Sequence, residues 1–380
     1  MRVMSFSAQG QLGSIPARAT GSTAAAFHLV YATTASDLRH ACAQIVRRHP
    51  GLPCVGATSF RGIFAHGGFS PAPHALVGEV PDGLNMQAVL REVQGADALE
   101  QSIEACRELV TLLPRRPTLL LLHATPGIEE RVLEGIQQVL GTDVPVCGGT
   151  AAAPSLEQGF LVCLGNAHTA HGFVLAGFCA DRPILHGFSS GFLPTEHRGT
   201  VTRAVGRTVF DIDGLPAAEV YNTWTGGRLG DALRDGGDVL MSTNLLPLAR
   251  TVAGGSGIPR RLLAHPRSVL EREGALTFFA ELGRGERVEL MTSTLDPMIE
   301  RVSRMVQRLR PSGSVRGALL IFCAGTLSIL HERAAEVSAA FSSATGNLPS
   351  VGIATFGEQG CFFERGRSYH GNLMCGCILF

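Results

Sequence analysis

The chain has no excess of either charge: 32 Lys and Arg face 32 Asp and Glu, for a formal net charge of zero. A neutral chain lacks the electrostatic footprint of a nucleic-acid groove or of attachment to an anionic membrane. It lacks any apolar run near the roughly 18–20 residues that a spanning helix needs, so no membrane insertion is expected. Met1-Arg2-Val3-Met4-Ser5 is not the continuous apolar segment of a signal peptide, and a cytoplasmic location is expected. No segment carries a dinucleotide or Walker glycine pattern, so no phosphate cradle is indicated there. The ten cysteines form no disulfide framework; Cys54, Cys147, Cys163, Cys179 and Cys323 lie in apolar runs, as buried thiols do. Charged residues are scarce, 17% against 45% hydrophobic, which suits a buried partner or homo-oligomer interface.

What the chain does have is a repeat. His28-Leu29-Val30-Tyr31-Ala32-Thr33, Leu121-Leu122-His123-Ala124-Thr125 and Ile321-Phe322-Cys323-Ala324-Gly325 each close an apolar run. A helix-like segment follows each, then a proline-led stretch that stops at glycine: Leu52-Pro53 to Thr58, Val144-Pro145 to Thr150, and Leu348-Pro349 to Thr355. Ala32 to Pro53 is 21 residues, Ala124 to Pro145 is 21, and Ala324 to Pro349 is 25. Apolar positions between the strands fall at helical spacing, as in Leu38, Cys42, Ile45 and Val46. The pattern predicts one β-α-β unit used three times, with parallel strands and a right-handed crossover.

Both strands of such a unit end at one edge of a sheet, where open α/β sheets bind ligands. The candidate binding residues are therefore the strand ends: Thr33, Thr125 and Thr326 on one side, and Gly56, Thr58, Gly148, Gly149, Thr150, Gly352 and Thr355 on the other. Glycine admits a close backbone approach and threonine offers a small donor and acceptor, although both also simply end strands. Three sets of tips converging on one rim would leave room for a small molecule.

Residues 1–27 read as an irregular lead-in or edge element. Short strands at Gly159–Leu164, Gly172–Cys179 and Ile184–Phe188 read as an antiparallel meander, and Leu276–Leu282 with Arg287–Thr294 as a hairpin. Helices are expected around 97–113, over Ala217–Trp224 and from Asp296-Pro297 to about Leu309. Gly254-Gly255-Ser256-Gly257 marks a loop. Cys361–Arg365 and Leu373–Phe380 read as closing strands. The class is mixed α and β (α/β), with parallel crossovers and antiparallel strands together.

These landmarks resemble the FIST family of paired N- and C-terminal sensory domains. The matching residues are Val55-Gly56-Ala57-Thr58-Ser59, Gly148-Gly149-Thr150-Ala151, Ser190-Gly191-Phe192, Leu215-Pro216-Ala217 and Val220-Tyr221. Above all they are Gly352-Ile353-Ala354-Thr355-Phe356-Gly357-Glu358-Gln359-Gly360 and Tyr369-His370-Gly371-Asn372. The resemblance implies two related halves, 28–214 and 215–380, and a sensor of an amino acid or similar metabolite. No output segment is visible, so a signalling partner such as a kinase or cyclase would act in trans. The chain departs from the family pattern at Phe60-Arg61-Gly62, at Ala151-Ala152-Ala153-Pro154 and at the split His370-Gly371-Asn372, which points to a different or more apolar ligand.

Among polar side chains, Glu358 could accept from a ligand ammonium group, and His370 could hydrogen-bond a ligand or ligate iron. No cofactor is otherwise called for. The resemblance carries haem as the alternative, a nitric-oxide sensor with His123, His171 or His370 as axial ligand. A cysteine enzyme acting on a small acyl substrate is the third reading, with Cys147 as nucleophile before the Gly148-Gly149 amides. No motif supplies its base. Cys375-Gly376-Cys377 and His168-Thr169-Ala170-His171 lack further ligands at zinc spacing.

Overall fold

The computed structural model describes residues 1–6, 12–15, 25–66, 68–79, 83–155, 159–253, 259–309, 315–363 and 366–380. The expected loop at 254–257 lies outside them. Three β-α-β units are present. Ala25–Ala32, the helix Ala35–Arg48 and Cys54–Thr58 form the first; Leu119–Ala124, Glu129–Leu140 and Val146–Gly149 the second. The third is Ala318–Cys323, helices Ala324–Leu330 and Ala334–Ala344, and Ser350–Thr355. Its four extra residues are absorbed by the broken crossover, so Thr326 lies in a helix rather than at a strand end. Each pair of strands is parallel, as in Leu120 beside Val146 and Leu319 beside Val351.

Each unit belongs to a different sheet. Alternation along the first strands explains how the sheets stack. Leu29 and Tyr31, Leu119 and Leu121, and Leu319 and Ile321 share one central core. The intervening Val30, Leu120 and Leu320 turn outward under helices. Three sheets thus enclose one core, and helices cover their outer faces. Among the described residues no helix is long and apolar enough to cross a membrane.

The chain leaving each second strand crosses to the next sheet. Ile63–Ala65 pairs with Val351–Ile353, Val162–Leu164 pairs with Val55–Ala57, and Glu358–Gln359 pairs with Gly148–Gly149. Return strands His74–Glu79, Gly172–Cys179 and Cys375–Leu379 then lie beside the first strand of their own unit. Arg2–Phe6, with Leu12–Ile15 beyond it, and the edge strands Asn85–Glu92 and Leu185–Ser189 complete the pattern. The meander read at 159–188 is therefore corrected: its three strands belong to three sheets. The lead-in at 1–27 is likewise not irregular throughout, because Arg2–Phe6 is a paired strand and Ala25 already begins another.

Between edge strand Leu185–Ser189 and helix Leu295–Leu309 the chain builds a fourth sheet of nine strands. Its 13-residue strand Leu193–Val205 pairs with Arg287–Thr292 on one side and Thr208–Ile212 on the other, with register shifts along its length. Residues of both halves bury Tyr221 of helix Ala217–Trp224, whose Oη donates to Leu246 O at 2.6 Å. The hairpin read at 276–294 does not form. Ala275–Phe278 pairs with Pro266–Leu270 and Thr208-Val209, while Arg287–Thr292 pairs with strands elsewhere in the sheet. A boundary at 214/215 runs through this sheet, since Leu215-Pro216 pairs with Asp211-Ile212. An apolar seam of Phe188, Ala249, Leu262, Met291, Leu373 and Met374 joins the inserted domain to the third unit.

Candidate functional site

The three unit tips meet, and they do so by bonding to one another. Ala152 N–H donates to Thr58 O at 2.9 Å, Phe60 N–H to Ala354 O at 2.9 Å, and Phe356 N–H to Thr150 O at 3.1 Å. These are equivalent positions, two and four residues beyond Gly56, Gly148 and Gly352, so the bonds close a ring around a pseudo-threefold axis. The ring ties the tips directly to one another. Gly56, Gly148 and Gly352 lie inside paired strands; at Gly148 a Cβ would fall 1.8 Å from Leu122 O. At Gly149 it would fall 2.3 Å from Thr355 Cγ2, where two units touch. Thr58 is buried and bonds Leu161 through both N–H and Oγ1. Thr33 donates to Pro71 O, Thr125 accepts from Gly172 N–H, and Thr326 accepts from Arg301.

A buried polar network begins where one tip faces the inserted domain. Thr150 Oγ1 donates to Glu129 Oε1 at 2.9 Å, and Gln359 Nε2 donates both to Thr150 Oγ1 and to His370 Nδ1, each at 3.0 Å. His370 Nδ1 is then an acceptor, so Nε2 carries the proton and donates to Phe279 O of the inserted domain at 3.2 Å. Arg207, also of the inserted domain, donates to Glu129 and Glu130 at 2.6 Å each. Burial raises the Glu130 pKa, but the Arg207 charge and the Glu281 amide are among the groups that outweigh it and bring it down to about 2. Burial opposes the charge on Arg207 too, and the two carboxylates more than offset this. Glu129, Glu130 and His370 could in principle gather around a cation, but Arg207 already supplies the positive charge there.

The second half of the site is less well satisfied. Glu358 is completely buried and accepts from Thr355 Oγ1 at 2.8 Å and from Met374 N–H at 2.9 Å. Burial pushes its pKa up to about 8, and Thr355, the Met374 amide, Arg301 and the Cys323 thiol offset only part of that. Buried polar atoms without partners among the described residues lie in the same segments: Asn372 Nδ2 and Asn244 Oδ1, and Gln359 Oε1 on the opposite face of the Glu358 strand. Gly357 and Gly325 let them come close; a Cβ on Gly357 would lie 3.2 Å from Asn372 Nδ2, and one on Gly325 3.3 Å from Asn244 Oδ1. Asn372 also docks the inserted domain through Leu263 O and His265 N–H. Thr150, Thr355, Glu358 and His370 are thus gathered along one seam, whereas Thr33 and Thr125 bond elsewhere.

Three histidines were candidates for iron. His123 is completely buried and uses both nitrogens, Nδ1 to Gly149 O and Nε2 with Tyr31 Oη, each at 3.0 Å. His370 spends both of its own, and His171 is exposed. None offers a free ring nitrogen facing a haem-shaped space, so these residues do not fit that group. Cys147 is buried beside Cys361, and burial raises its thiol pKa far above the ordinary value, which opposes thiolate chemistry.

Sequence reasoning passed over Glu129, Glu130, Arg207, Arg301 and Asn244. Arg301 alone left a trace, as a charge on the apolar stripe Met298, Val302 and Met305.

No curated protein matches the chain. The model of the FIST N domain matches residues 26–215 and that of the FIST C domain residues 217–361. The chain belongs to the FIST family, whose domains are sensory modules of signal-transduction proteins.

Proposed function

We propose that this sensor binds a small amine-bearing metabolite, an amino acid or similar molecule, at the seam around Glu358, and signals to a separate protein such as a kinase or cyclase. The reading is non-enzymatic. It rests on one observation above the others: a fully buried carboxyl that accepts from neutral donors only and has no bonded cation, in segments that also leave buried amide atoms without partners. Orphaned buried polar atoms are costly and call for an explanation. An ammonium group delivered to Glu358 would favour its ionised form, and Asn244 and Asn372 would supply the remaining bonds. Thr150, Thr355 and His370 hold these groups in place. Because the seam joins two domains, entry requires their separation, which couples occupancy to domain position.

The test is calorimetry and thermal shift of the full chain against a panel of amino acids and simple amines at pH 7. A hit should raise the melting temperature with dose and release protons on binding, seen as a buffer-dependent heat. Glu358→Gln should abolish both. Amines that leave the wild type unmoved, or a Glu358→Gln variant that responds like it, would overturn the proposal.

A further inference from the structure

A cleft of about 330 Å³ opens where edge strand Leu185–Ser189 passes into Leu193–Val205, with helix Leu295–Leu309 as its other wall. Arg301, Arg304 and Arg308 share the helix face that lines it. Arg301 is only 2% exposed, and no carboxylate among the described residues forms an ion pair with its guanidinium; Glu358 acts on it through space alone. Nη1 donates to Leu373 O at 2.7 Å and Nη2 to Thr326 Oγ1 at 3.3 Å, while Nε has no partner. The hydroxyl of Ser189, on the opposite wall, is also buried without a partner. Arg308 lies over the Phe363 ring at 4.2 Å; Arg304 donates to Pro297 O at 3.5 Å and pairs with Glu300 at 3.7 Å, largely exposed. Among the described residues, Glu300 is the one carboxylate that forms an ion pair with these three cations. Gly191 brings the strand wall this close: a Cβ there would lie 2.9 Å from Pro297 O and 3.2 Å from Arg301 Cδ. The remaining lining is apolar, from Phe192, Leu193, Met305 and Phe363.

A buried arginine lacking a carboxylate is strongly unfavourable unless an anion arrives. We propose that this cleft is a second binding site, for a small organic oxyanion with an apolar body. The oxyanion group, a phosphate ester or a carboxylate, sits between the arginines and the Ser189 hydroxyl. The body packs on Phe192, Leu193 and Phe363. Guanidinium groups suit both oxyanions because their paired donors match two oxygens at once.

Calorimetric titration of the full chain with phenyl phosphate, benzoate and inorganic phosphate tests this. Saturable binding of phenyl phosphate or benzoate is expected, and whichever binds tighter names the oxyanion. The double variant Arg304→Ala/Arg308→Ala alters exposed positions and should fold; it should weaken binding by about tenfold or more. Arg301→Lys, which keeps the charge but loses the fork, should weaken it as well. Glu358→Gln should leave it unchanged, which separates this site from the amine site. The proposal falls if neither organic anion binds in the millimolar range, if the double variant binds like the wild type, or if inorganic phosphate binds as tightly as phenyl phosphate.

Discussion

The ring at the threefold axis and the seam beside it use the same strand ends in opposite ways. In the ring, equivalent backbone groups of three units satisfy one another. At the seam one unit meets the inserted domain, equivalence is lost, and charged or orphaned polar groups collect. A closed ring of this kind is a rigid frame, and a partly satisfied polar seam is where a second, ligand-bound arrangement is affordable. The convergence of glycine and threonine tips thus positions the proposed site without forming it. Residues that follow the tips, Glu358, Gln359, His370 and Asn372, carry the polar chemistry.

The sharpest way to break the frame is Gly148→Val, because its Cβ would strike the Leu122 carbonyl of the paired strand. Soluble folded protein should be lost, measured by expression and circular dichroism. Arg207→Ala strikes the seam instead. It strands two buried carboxylates and should destabilise by about 3–5 kcal/mol in chemical denaturation. Ser59→Ala asks how far the ring depends on side chains. Ser59 Oγ accepts from Ala354 N–H at 2.9 Å, and its loss should cost about 1–3 kcal/mol, while ligand binding at the seam survives.

Acidity sharpens the comparison further. Glu358 has a raised folded-state pKa, so its contribution is fully present below its unfolded value of 4.5 and is lost as pH rises through about 8. Glu130 runs the other way: its contribution is present above 4.5 and is lost as pH falls through about 2. Stability measured from pH 5 to 9 should therefore decline more steeply in the wild type than in Glu358→Gln. The smallest effect is expected from Arg203→Ala. Its partner Asp211 belongs to an exposed surface pair that bonds neither ring nor seam, and melting should not change measurably.

Much of the frame was legible in the sequence, because a strand, a crossover helix and a proline-led strand recur at nearly fixed spacing. Sheet membership was not. Val162–Leu164 and Gly172–Cys179 look like neighbours, yet the first crosses to the sheet of unit one, a choice made by the ring bonds at Thr58 and Ala152. The hairpin at 276–294 failed for a related reason, since each strand found its partner across the inserted sheet. At the site, Glu358 and His370 stood out beside a glycine-rich strand end. Arg207 could not, because it reaches Glu129 from another domain and nothing in local spacing records that approach.

Native-state hydrogen exchange, with and without a bound amine, tests the central claim most directly. The amides of Phe60, Ala152 and Phe356 should exchange only through global unfolding, and those of Met374, Asn372 and His265 through a lower-energy opening that the ligand suppresses. Seam amides that exchange as slowly as the ring, or ligand protection confined to the ring, would contradict the account.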